Sequence, residues 1–350
     1  MRKRLLLVYR GLSPYALVLG IIGVIAFAAV APGLGSDSSP LPISLLKDVG
    51  IFMIFFNQGV LLPGEALRKG LKEWPLHILI QSYLYIFIPL ITAALLWLTR
   101  DIFVQPDLRM GFLFLSFLPT TVATAVGLTT LSHGNVTGAL FNCTLSAVLG
   151  TILVPLYGLK WLQSGAAESG INLGETLGGI FLIIIVPLIL GQCLRPKLEN
   201  RFHHHRIAIN RLNSGVILFI VWASFCSSFE LQVWSKVDTT DLVICFLGAS
   251  VLLAISSLLI WKLSGLIALD PASKVTAFFC GSQKSLSIGL PLSALMFGSA
   301  DSGVNLSLLV IPLLIYHPAQ MLLGGWLVPR FARSLRPHPT VPVEEVEKAV

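Results

Sequence analysis

Lys284 is the residue on which any chemistry in this chain must turn. It sits in Phe278-Phe279-Cys280-Gly281-Ser282-Gln283-Lys284-Ser285-Leu286-Ser287-Ile288-Gly289-Leu290-Pro291, ten residues beyond Lys274, where an apolar run begins. Ten helical residues rise roughly 15 Å, half of a hydrocarbon core about 30 Å thick. An ammonium at that depth is costly, so it faces protein or a water-filled cavity and marks a path for a ligand or an ion. Snorkelling is the bland alternative, but at mid-depth neither interface is within easy reach. The neighbours read as a helix that stops and restarts. Gly281 and Gly289 relax the backbone, Pro291 removes a donor, and Ser282, Gln283, Ser285 and Ser287 can pair the freed groups. Broken spans at mid-depth are where secondary transporters hold their ligands.

Further polar side chains gather in a few of the apolar segments: Gln81, Thr120, Thr121, Thr124, Asn142, Ser146, Tyr316, His317 and Gln320. Asn142 and Ser146 are four apart and share a helix face, and His317 and Gln320 are three apart and do likewise. Together with Ser282, Gln283, Lys284 and Ser285, all of these except Tyr316 form the candidate substrate or ion site. Each has a bland reading. A lone buried Asn or Gln is often interhelical glue, Thr120 and Thr121 can serve carbonyls freed by Pro119, and His317 can be structural before Pro318. Asn57 and Gln58 read as gate or packing residues. His203-His204-His205 lies among Arg195, Lys197, Arg201 and Arg206 without a neighbouring Cys or carboxylate, which is a solvated basic loop rather than a metal site. No Ser-His-Asp spacing, phosphate-cradling glycine loop or intramembrane acidic pair points to enzyme chemistry, and no cofactor is implied.

These residues need a membrane scaffold to hold them. Mean hydropathy is +0.84 and only 12% of residues are charged, against about 25% in soluble domains. The formal charge of +7 falls in short clusters between apolar runs, which is a topology signal and not a nucleic-acid surface. All five cysteines lie inside apolar runs and read as free thiols. Ten segments are long enough to span: 14–34, 42–62, 76–99, 110–131, 136–159, 176–194, 212–229, 242–263, 275–297 and 304–328. With the N-terminus in the cytoplasm, eighteen of the twenty-four Lys and Arg fall inside, four outside and two within segments. Both termini are therefore expected to be cytoplasmic. The start Met1-Arg2-Lys3-Arg4 reads as the flank of an uncleaved first span, with a cleaved leader as the alternative.

The halves echo one another. Gly150-Thr151-Ile152-Leu153-Val154-Pro155 matches Gly324-Gly325-Trp326-Leu327-Val328-Pro329, an offset of 174 in 350 residues. Five spans per half make this an inverted repeat, and the fourth segment mirrors the ninth by carrying Pro119-Thr120-Thr121 near mid-depth. The expected fold is an all-α polytopic membrane protein. Its parts are a cytoplasmic N-terminus (1–13), two five-helix repeats (14–164 and 165–336) and a disordered tail (337–350). Polarity sorts segments three to five and eight to ten into a core, and one, two, six and seven into a panel. The short loops suit a bacterial inner membrane, with an organelle membrane as the alternative.

Phe55-Phe56-Asn57-Gln58-Gly59, Leu118-Pro119-Thr120-Thr121-Val122, Phe141-Asn142, Lys284-Ser285-Leu286 with Gly289 and Pro291, and Leu314-Ile315-Tyr316-His317-Pro318-Ala319-Gln320 extend over nearly the whole chain. At these stretches it resembles the bile acid:sodium symporter family, solute carrier family ten. It looks closest to the divergent seventh-member branch and its bacterial relatives. The resemblance implies broken, crossing fourth and ninth helices, a substrate site between core and panel beside the crossing, sodium behind it, and a small organic anion as substrate. It also implies an alternative, a membrane regulator of cellular calcium without a classical transported substrate. Carried over by hand, the family's sodium carboxylate falls at Phe279, its Ser-Asn pair at Thr124-Ala125 and its second asparagine at Lys284. Only Gln81, Gln283 and Ser146 remain as sodium ligands, so the coupling ion is left between sodium and a proton. The specific expectation is that Lys284 supplies in cis the charge that sodium supplies in relatives.

Overall fold

The computed structural model describes residues 16–36, 38–61, 73–100, 105–166, 173–298 and 303–335. The basic cluster Arg2 to Arg4, the stretch 62–72 and the tail 337–350 lie outside the described residues. Every regular element among the described residues is helical. In chain order they are α1 (Ala16–Val30), α2 (Ile43–Leu61), α3 (Trp74–Leu98, with a π-helical turn at Tyr83–Phe87), α4 (Pro106–Phe117), α5 (Val122–Leu131) and α6 (Val136–Ala166). There follow α7 (Leu173–His204), α8 (Arg206–Glu230), α9 (Thr239–Leu266), α10 (Pro271–Ser282), α11 (Leu286–Phe297) and α12 (Leu306–Leu335). Six of these helices are long and apolar enough to cross a membrane, and α4 and α5, bent by 57°, add a seventh as one broken span.

Helix ends follow local chemistry. Asp270 caps α10 by accepting from the amides of Ala272 (3.0 Å) and Ser273 (3.1 Å), with Pro271 next to it. Asp238 and Asp241 close a reciprocal capping box on α9. One expectation changes here: α7 runs through to His204, so the basic stretch from Arg195 to His204 is helical and not a loop.

The helices sort into two packed groups. α2 packs along α7, and α8 packs on α1, α2 and α7. The backbones of α2 and α7 meet at glycines: a Cβ on Gly59 would lie 2.2 Å from the Leu188 carbonyl oxygen, and one on Gly191 would lie 2.3 Å from that of Phe56. In the second group α9 packs on α10 and α12, α4 on α12, and α5 and α6 on α10. Gly111 lets α4 approach α12 within 2.2 Å of the Leu309 carbonyl, measured from where its Cβ would be. The groups meet where α7 touches α6 and α8 touches α11 and α12.

Candidate functional site

Two interruptions face each other inside the second group. In the first, Leu118 and Thr121 are extended (ψ 143° and 128°) on either side of Pro119, which disfavours a helical residue before it. In the second, Gln283 and Ser285 are extended (ψ 140° and 111°). Here the expectation from the glycines and proline is corrected. Pro291 lies inside α11 and Gly281 inside α10, so neither makes the break. The two glycines serve packing instead: Cβ atoms on Gly281 and Gly289 would sit 2.7 Å from Ile260 and 2.6 Å from Leu118.

The interruptions are joined by bonds to groups that a broken helix leaves unpaired. The Lys284 ammonium donates to the carbonyls of Ser116 (2.7 Å) and Leu118 (2.9 Å), at the C-terminal, electronegative end of α4. The Ser285 amide donates to the Pro119 carbonyl (2.8 Å). Gln320 holds the second interruption from both sides, accepting from the Lys284 amide (2.7 Å) and donating to the Lys284 carbonyl (2.9 Å). The Tyr316 hydroxyl donates to the Ser282 carbonyl (2.8 Å), and His317 Nδ1 lies 2.9 Å from the Gln320 amide nitrogen. Lys284 is 1% exposed, and no carboxylate is among the partners of its ammonium.

A second polar group lies between α3 and α6. The Gln81 amide donates to the Asn142 carbonyl and side-chain oxygens (both 3.2 Å), and the Asn142 amide lies 2.9 Å from His77 Nδ1. The Ser146 hydroxyl donates to its own helix at Cys143 (3.1 Å). The side-chain oxygens of Gln81 and Gln283 are buried without a partner, as are the hydroxyls of Thr120 and Thr144. Thr124 is half-buried in the first turn of α5. Where a sodium carboxylate would stand, Phe279 is buried among aromatic rings, 5.3 Å from Phe278 and 5.7 Å from Phe331 between centroids.

Beside the crossing lies a cavity of about 340 Å³ between the two helix groups. One wall is Thr121 to Ala123, Leu140, Thr144, Ala147, Ser285, Ser287 and Ile288, and the other is Ile54, Gln58, Val60, Leu61, Arg195, Glu199, Asn210 and Asn213. α5 and α11 both begin at this cavity, so two helix N-termini point toward it. Arg195 is paired to Glu199 at 2.8 Å, and the Asn57 amide donates to Asn213 (2.8 Å). At the far end of α8 the groups are tied together: the Ser307 hydroxyl donates to the Ser224 carbonyl (2.7 Å), and Asn305 links Ser228 (3.5 Å) to Asp107 (3.2 Å).

Of the twelve side chains singled out in the sequence, only Thr121 and Ser285 line this cavity. Lys284, Gln320, His317 and Ser282 are brought together at the crossing, Thr120 lies in the facing interruption, and Gln81, Asn142 and Ser146 stand apart on α3 and α6. Sequence reading missed Arg195, Glu199 and Asn210 as wall residues by leaving them in a loop between segments, and passed over Asn213 at the start of the seventh segment. Their helical spacing, four apart and three apart, was the available signal.

The description "SBF-like CPA transporter family" matches residues 16–333. The chain is 32% identical to Sodium/bile acid cotransporter 7 of Danio rerio, over 89% of this chain and 92% of that one. It is 30% identical to YfeH of Escherichia coli (93% and 95%) and 29% identical to an uncharacterized protein of Pseudomonas aeruginosa (91% and 93%). With its apolar spans this is an integral membrane protein. The chain belongs to the SBF-like CPA transporter family, that of the bile acid:sodium symporters.

Proposed function

We propose that the chain is a secondary carrier for a small organic anion, working by rocking of α1, α2, α7 and α8 against the remaining helices. The observation that carries this reading is the cavity at the junction of the two groups, with Arg195 and Asn210 among its lining residues, while the groups are tied at the Ser224 and Ser228 end of α8. Two helix N-termini favour negative charge there, while Leu140, Ala147 and Ile288 suit an apolar body. Names of relatives carry sodium and bile acid, and a bile acid is accordingly the first anion to try.

A ten-span inverted repeat accounts for the order of the elements. Broken pairs α4–α5 and α10–α11 each open with a proline, follow a long helix and precede another. The matched glycines support the same reading: Gly150 abuts Pro119 in the first interruption, and Gly324 lies beside Gln283 in the second. Cytoplasmic termini follow from the basic bias of the loops.

In this reading Lys284 does the work of a coupled cation by neutralising the end of α4 at the crossing. Phe279 removes the carboxylate that a hard cation needs, and an ammonium follows directly on Gln283. Uptake then needs no sodium, and a proton is the coupling ion. The test is uptake of taurocholate and of short carboxylates into proteoliposomes, with a sodium gradient, a proton gradient or neither, for wild type, Lys284→Ala and Lys284→Arg. Uptake independent of sodium and lost in Lys284→Ala is expected. Sodium-driven uptake that survives in Lys284→Ala would overturn it. Failure of every anion, with altered calcium uptake in a deletion strain, would favour the regulator reading.

A further inference from the structure

Two neighbouring amides near the end of α2 are used differently. Asn57 donates to Asn213 on α8 at 2.8 Å and ties the two helices together. Gln58 lines the cavity between the helix groups, and its Nε2 is buried without a hydrogen-bond partner. On the opposite wall Thr144 of α6 is fully buried, and its hydroxyl also has no partner. Helical hydroxyls in this molecule commonly donate to their own backbone, as those of Ser146, Thr151 and Ser224 do at 3.1, 2.7 and 2.7 Å. Thr144 makes no such bond. Among the described residues, Gln58 and Thr144 are the two at which a buried polar atom without a partner coincides with the wall of this cavity. A buried polar atom left unpaired costs stability, so a ligand that pairs both recovers that cost.

Other polar groups of the walls are committed. Arg195 is paired to Glu199 at 2.8 Å. The Ser285 hydroxyl accepts from the Ile288 amide at 3.3 Å and lies 3.2 Å from the hydroxyl of Ser287. The negative charge of a ligand is drawn to the N-termini of α5 and α11, which lie on the same wall as Thr144. Gln58 stands across from them. Its Nε2 is a donor, so its partner is a second acceptor on the ligand, set apart from the charged group. Thr144 can accept or donate and therefore suits a hydroxyl or a carbonyl equally. Ile54, Val60, Leu140 and Ala147 leave an apolar body between these polar points. Because the walls belong to the two groups that rock, a ligand held at both joins them.

We infer that Gln58 and Thr144 read a neutral hydroxyl or carbonyl group of the transported anion, so that the substrates are organic monoanions oxygenated at a distance from their charge. The inference rests on the carrier reading and is tested apart from it. Binding to the purified protein is measured by calorimetry for 4-hydroxycyclohexanecarboxylate against cyclohexanecarboxylate, and for taurocholate against taurolithocholate, which carries fewer hydroxyls. In wild type the more oxygenated acid of each pair should bind about tenfold tighter. Gln58→Leu should bring the acids of each pair within about twofold of one another, and Thr144→Val should narrow the gap to about threefold. The ratio within a pair is the readout, because a general loss of folding lowers both acids alike. If Gln58→Leu fails to fold, Thr144→Val, which keeps the shape of its side chain, carries the test. Equal binding within each pair by wild type, tighter binding of the less oxygenated acid, or a ratio that survives in both variants would overturn the inference and leave the anion reading standing. No binding of any of these acids to wild type would overturn both.

Discussion

The two interruptions occupy matching places in the chain yet are held by different means. The first is written into its own backbone: Pro119 forces Leu118 out of the helical region, and the carbonyls thereby exposed wait for donors from elsewhere. The second has no proline at the break, and it is held open by two side chains of one other element, α12, with Gln320 on its backbone and Tyr316 on the end of α10. Its lysine then repairs the first. The breaks are thus alike in shape and complementary in chemistry, acceptors on one side and a cation on the other.

Removing the cation should cost most. Lys284→Met keeps the bulk but strands two buried carbonyls, and about 3 kcal/mol of stability should be lost, read by denaturation in detergent. Lys284→Arg should recover part of it if charge is what matters. Next comes Gln320→Leu, which removes both bonds to the second interruption. A loss of about 2 kcal/mol is expected, and an effect as small as that of a surface substitution would mean that this break, too, is locally encoded.

Smaller effects belong to the outer end of the second broken helix. Asp270→Ala should cost about 1 kcal/mol as a lost cap. Burial raises the affinity of Asp270 for a proton, but the bonds from Ser273 and Ala272 outweigh it and hold the carboxyl below the usual carboxylate range. The cap is therefore present above the ordinary carboxylate pKa and is lost as pH falls through the lowered one, and Asp270→Ala should erase that acid dependence. The least effect is expected at the first interruption. The Thr120 hydroxyl is buried without a partner, so Thr120→Val should stay within about 0.5 kcal/mol of wild type. A larger loss would mean that both breaks rely on side chains.

Much of this was legible in the chain. Long apolar runs with few charges can only be membrane helices, since an unpaired backbone group in hydrocarbon is too costly for any open alternative. Pro119 marked one break by covalent geometry. The second break was seen but attributed to the wrong residues, because Gly281 and Gly289 look like helix breakers until their neighbours, Ile260 on α9 and Leu118 just after α4, are known.

What sequence by itself determined is the kind of molecule, a membrane protein of apolar helices, because length and hydropathy are local quantities. Tertiary structure alone decided where the lysine points. The amine turns toward Ser116 and Leu118, more than 160 residues away, and the cavity is left to Thr121, Ser285 and wall residues from α2, α7 and α8. An ammonium takes whichever unpaired acceptors lie nearest, and only the meeting of two broken helices puts those carbonyls within its reach.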